Sequence, residues 1–212
     1  MIRRLTRSVT TYSHHHLASH TAPREVPTPL VFLSTNALDR SSAKSLHELA
    51  SSLTRQGFSS LELDLSLSSP TQTLRTSEEV LQNAASELRE AITTSPSPFP
   101  PVLVARGLAS LVAQTYISSY PASALLLIDP PASPKTYPLS SSEARKFLPT
   151  KVKDFDFEPR FPVALIATPD SDSSSTSLTE HRLVSAGADV FLAKREEDVM
   201  SLLENWLDEL GV

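Results

Sequence analysis

Hydrolysis by acyl transfer needs a nucleophile, a base to take its proton and an acid to orient that base. Ser110, Asp170 or Asp172, and His181 occur along this chain in that order. Ser34 and His47 offer a second hydroxyl and a second imidazole. Cysteine is absent, which excludes a thiolate nucleophile, a disulfide framework and a Cys-based zinc site. Only 4 of the 212 residues are glycine, against 17 proline, and neither GxGxxG nor GxxxxGK[ST] occurs, so no phosphate-cradling loop is expected. A formal net charge of -5 argues against nucleic acid as a partner.

Each candidate also has a plainer reading. Asp170 and Asp172 suit a turn or a helix cap, and with no base to orient, that role is favoured. His181, between Glu180 and Arg182, is expected on the solvated face of a helix, Ser110 as a small helix residue packed near a sheet, and His47 as a half-buried surface residue. Asp64 and Asp129, at predicted strand ends, can cap the loops that follow. His14, His15, His16 and His20 crowd the first twenty residues, but no acidic residue precedes Glu25, so no metal or cofactor is expected.

Positioning these groups falls to alternating strands and helices. Apolar runs predict strands at Leu30–Ser34, Leu61–Leu65, Val102–Ala105, Ala124–Ile128, Pro162–Ala167 and Asp189–Leu192. Helical spacing predicts helices from Ser41 or Ser42 to about Gln56, from the capping box Thr76-x-x-Glu79 through Ile92, from Leu108 to about Ser119, over Leu178–Ala186 and over Arg195–Leu210. The implied fold class is α/β: a mostly parallel sheet of about six strands with helices on both faces. Residues 132–160 interrupt the alternation and are expected to leave the sheet as a short cap. No apolar run reaches the ~20 residues of a membrane helix.

The first segment differs in kind. Residues 1–24 hold Arg3, Arg4, Arg7 and Arg24, many Ser and Thr, and no acid, which is the composition of a mitochondrial transit peptide. The expected organisation is a leader over 1–28, a domain over 29–212, and a mitochondrial, more specifically matrix, location.

Val102-Leu103-Val104-Ala105-Arg106-Gly107-Leu108-Ala109 runs a strand directly into a helix through a small-residue turn, and resembles the nucleophile elbow G-x-S-x-G of the α/β-hydrolase fold family. The helix and strand through Pro131, the strand Phe161–Ala167 and the strand carrying Asp64 follow in that family's order, so the resemblance covers roughly residues 29–210. It implies an α/β-hydrolase-like domain with reduced N-terminal strands and a reduced cap. Alignment of the elbow places Ala105 and Ala109 at the flanking glycines and Gly107 at the nucleophile. Glycine has no hydroxyl but adopts the turn's positive φ without strain. Ser34-Thr35 stand where the family has His-Gly, and no histidine follows His181, where a base after the last strand is implied. The resemblance therefore implies a pseudoenzyme that binds a protein partner, an assembly or a small ligand. The alternative is an esterase or thioesterase with a rearranged site, using Ser110 or Ser34 with His181 or His47.

Overall fold

The computed structural model describes residues 10–36, 38–67, 76–133, 147–169, 178 and 180–212. Seven strands form one sheet: β1 Thr10–His16, β2 Val26–Ser34, β3 Phe58–Leu65, β4 Val102–Arg106, β5 Ala124–Ile128, β6 Val163–Ala167 and β7 Asp189–Leu192. Their order is β1-β3-β2-β4-β5-β6-β7, parallel throughout except for β1, which runs antiparallel to β3 at the edge. Among the described residues the helices given bounds are a 3-10 turn Arg40–Ala43, α1 Leu46–Arg55, α2 Ser77–Thr94, α3 Ala109–Ile117, α4 Arg182–Ser185 and α5 Asp198–Glu209.

All residues of β4, β5 and β6 are buried, as expected for parallel strands covered on both sides. Alternation along a strand sends neighbours to opposite faces. Leu103 and Ala105 join the core beneath α2 and α3, while Val102 and Val104 join the core beneath α1 and α5. Leu46, Leu49, Ala50 and Leu53 of α1, with Val199, Leu203, Trp206 and Leu207 of α5, close the second face. The capping box at Thr76 is present, its hydroxyl accepting from the Glu79 N–H while the Glu79 carboxylate accepts from the Thr76 N–H.

Two expectations are corrected. The sheet has seven strands, and the additional one comes from the segment assigned to a leader: β1 occupies Thr10–His16, and β2 starts at Val26. The boundary at residue 29 therefore falls inside β2, and one of the supposedly missing N-terminal strands is present. Polar composition hid β1, which needs no apolar alternation because it lies at a sheet edge. The first predicted helix is split: the 3-10 turn is capped by Asp39, and the chain turns at Ser45 with φ 58° before α1 begins. The described part of the 132–160 excursion adds no strand to the sheet, as expected, and packs down onto the fold. Leu148 and Val152 are buried, and Ser77 and Thr150 exchange hydrogen bonds with one another. Among the described residues no helix is long and apolar enough to cross a membrane.

Candidate functional site

The turn after β4 has the geometry that its sequence implies. Gly107 adopts φ +56°, its N–H donates to the Ile128 carbonyl at 2.8 Å, and α3 starts immediately behind it. In front of the turn lies the loop after β2. The Asp39 N–H donates to the Thr35 carbonyl at 2.8 Å, and the Thr35 N–H donates to Ser42 Oγ at 2.9 Å. Asp39 Oδ1 accepts from the Ser41 N–H at 2.9 Å, which fixes the carboxylate as a cap.

That carboxylate reaches across to the elbow. Asp39 Oδ2 accepts the Leu108 N–H at 3.1 Å. A Cβ built on Gly107 would lie 2.1 Å from the same oxygen. The N–H of the residue after a nucleophile is the donor that the elbow contributes to an oxyanion hole. Here a permanent carboxylate takes that donor and fills the space where a side chain at position 107 would start. Glycine thus suits this position twice: it adopts the backbone conformation without strain, and any side chain there would have to push the Asp39 carboxylate aside.

Arg106 lies one residue earlier, its side chain 4% exposed. Its guanidinium is bonded to both oxygens of Glu196, the Nη2–Oε2 distance being 3.0 Å, and Nη2 also donates to Asp129 Oδ2 at 2.9 Å and Thr168 Oγ1 at 3.3 Å. Nη1 donates to the Lys44 carbonyl at 3.2 Å and to Ser45 Oγ at 3.0 Å. Burial opposes the Arg106 charge, but the bonds and charges of Glu196 and Asp129 outweigh it and raise its pKa further. Burial likewise opposes ionisation of Glu196. Hydrogen bonds from Arg106 and Ser45, with the Arg106 charge and Lys44, prevail and hold its carboxyl at about 2. Glu196 sits in the segment after β7, where the resemblance implies a catalytic histidine. Asp129, with φ 50°, also accepts the Thr168 N–H at 2.7 Å and so ties the end of β5 to the end of β6.

The remaining candidates do not assemble into a triad among the described residues. Ser110 is fully buried in α3, and its Oγ has no hydrogen-bond partner among the described residues. Ser34 Oγ donates to Asp64 Oδ1 at 2.8 Å, a carboxylate that also accepts the Asn36 N–H at 2.8 Å. His181 was expected on a solvated helix face, but it is 2% exposed and caps α4, its Nδ1 accepting the Leu183 N–H at 3.2 Å. That bond places the neutral ring's proton on Nε2. Burial first, and then the adjacent Arg182 charge, lower its pKa to about 4. The side chain of His47 is 61% exposed and pairs with Glu62 at the sheet edge. Asp170 and Asp172 lie outside the described residues. None of three surface clefts of about 210, 290 and 330 Å³ is lined by Asp39, Gly107, Leu108 or Ser110. Asp39 and Glu196 were missed by sequence reasoning because their partners lie 69 and 90 residues away.

No family model matches the chain, and no curated protein matches it. Solved structures do. An α/β hydrolase enzyme from a sediment metagenome of the Mar Chica lagoon, Morocco, is similar over 94% of this chain and 95% of that one, with a TM-score of 0.63 and 14% identity. An α/β superfamily hydrolase from Oenococcus oeni is similar over 100% of both chains, at a TM-score of 0.59 and 16% identity. A lipase/esterase from Lactobacillus plantarum is similar over 94% and 92%, at 0.60 and 12%. The chain has an α/β-hydrolase fold.

Two stability measurements check this geometry. Gly107→Ala incurs the left-handed backbone penalty of about 1–2 kcal/mol and also displaces Asp39. In an Asp39→Ala background only the backbone part remains, so the double-mutant cycle is non-additive by about 1 kcal/mol or more in urea unfolding; additive effects would refute the contact. The second concerns acid. Between about pH 6.5 and 4 the unfolded His181 is protonated while the native one is not, so native stability falls over that window by about 3 kcal/mol. His181→Asn keeps a capping acceptor and flattens the slope there; an unchanged slope would show that another group is responsible.

Proposed function

We propose that this chain is a non-catalytic α/β-hydrolase-like protein of mitochondria that acts by binding a partner protein or a small ligand. The observation that carries the reading is the Asp39 carboxylate on the Leu108 N–H, 2.1 Å from where a Cβ of residue 107 would sit. A nucleophile and its oxyanion donor both need that space empty. Glu196 in place of a base supports the same reading, since a carboxylate bound bidentately to a buried arginine and held at about 2 takes no proton near neutrality. Ser110, in the first turn of the helix behind the elbow, is fully buried and has no base on it among the described residues.

A fluorophosphonate separates this reading from that of a rearranged serine hydrolase. Full-length protein treated with the probe shows no change in intact mass while a known hydrolase in the same tube is labelled. A single stoichiometric adduct mapped to Ser110 or Ser34 would make the protein an enzyme instead.

The mitochondrial part of the proposal rests on Arg3, Arg4 and Arg7 in an acid-free segment. Because β1 begins at Thr10, processing that spares the sheet has to occur before that residue. A fusion of residues 1–30 to a fluorescent protein is expected in mitochondria; cytosolic fluorescence would refute the assignment.

A further inference from the structure

The edge strand β1 brings three imidazoles and a carboxylate together. His14 lies directly opposite Glu62 in the β1–β3 register, and His16, two residues on, shares that face of β1. His47 stands in the first turn of α1, which covers the same face of the sheet. His14 Nδ1 is 3.0 Å from His16 Nε2, His16 Nε2 is 3.0 Å from Glu62 Oε2, and His47 Nδ1 is 3.0 Å from that same oxygen. All four potential ligand atoms lie within 4.8 Å of one another.

We propose that His14, His16, His47 and Glu62 bind one zinc ion, which fastens the edge strand β1 to β3 and α1. Four donors at about 2.0–2.1 Å from a tetrahedral zinc stand about 3.3–3.4 Å apart. The three short separations therefore need to open by a few tenths of an ångström and the longer ones, up to 4.8 Å, to close by about 1.4 Å at most, a movement the exposed His14 and His47 side chains have the freedom to make. Imidazole and carboxylate without thiolate favour zinc, copper, nickel or cobalt over magnesium or calcium, which prefer all-oxygen sites. Four protein ligands, with none reserved for substrate, make a closed site of the structural kind. The expectation that the N-terminal histidines lack a carboxylate partner is thereby corrected: Glu62 comes from a strand 46 residues further along the chain than His16.

An ion at this place has a clear mechanical use. β1 is held by hydrogen bonds on one side only, as the last strand of the sheet. Without a metal, the facing nitrogens of His14 and His16 need a proton between them; zinc replaces that proton and bonds to both rings.

The test uses the full chain after exhaustive treatment with chelator. Calorimetric titration with zinc chloride is expected to show one ion per chain with micromolar or tighter affinity, and cobalt(II) should give the intense visible bands of a tetrahedral site. Zinc should raise the unfolding temperature, and EDTA should reverse the rise. His47→Ala, at an exposed position, and Glu62→Gln each weaken binding at least tenfold while circular dichroism shows both folded. His15→Ala, on the opposite face of β1, and His20→Ala leave it unchanged. Zinc binding that is absent, that survives both ligand substitutions, or that depends equally on His15 would overturn the proposal.

Discussion

A guanidinium almost wholly out of water has to be neutralised where it stands, and that requirement at Arg106 organises one whole end of the sheet. Its hydrogen bonds reach Asp129 after β5, Thr168 after β6, Glu196 after β7 and the Lys44–Ser45 corner before α1. Those loops are set by a charge as well as by apolar packing. Removing one partner of a buried ion pair generally costs about 3–5 kcal/mol, because the other charge stays buried alone. The left-handed conformations of Ser45 and Asp129 fit the same account, since each residue is held there by bonds to the cluster. In this chain the strand ends that could present reacting groups hold one another in place.

The parts that were legible in the sequence were those that depend on local pattern. β4, β5 and β6 are short apolar runs because both faces are covered, and the capping box at Thr76 is a four-residue signal. Gly107 could be identified as the centre of a turn because the strand before it and the helix behind it leave few other conformations. Long-range chemistry was not legible. Nothing near Asp39 in sequence points to Leu108, and Glu196 sits in a run of charges that resembles an ordinary exposed helix start. His181 was misplaced for a related reason. Flanking charged residues suggested a solvated face, whereas a single bond to the Leu183 N–H draws the ring inward as a cap.

β1 shows how composition can hide a strand. An arginine-bearing segment without acids suggests a leader, and its serines, threonines and histidines carry no alternating apolar signal. Yet an edge strand needs only a partner with free backbone groups, which β3 provides on the side away from β2. His16, at 9% exposure, serves as a covered residue on that strand. A polar strand can therefore complete an otherwise aliphatic sheet, provided that its inward side chains find acceptors such as Glu62.

The relation between Gly107 and Asp39 gives the turn after β4 a structural contact of its own. An oxyanion donor is useful in catalysis because it is aimed, before reaction, at a charge that appears only in the transition state. Occupied by a carboxylate of the same chain, the same N–H becomes an ordinary structural bond, and its alignment now stabilises the ground state. That bond joins the loop after β2 to the start of α3, so the turn gains a role in holding the fold. A side chain placed at position 107 would have to displace that contact first. The backbone geometry of the elbow and its chemistry are in this way separable, and only the geometry is needed to keep β4 running into α3.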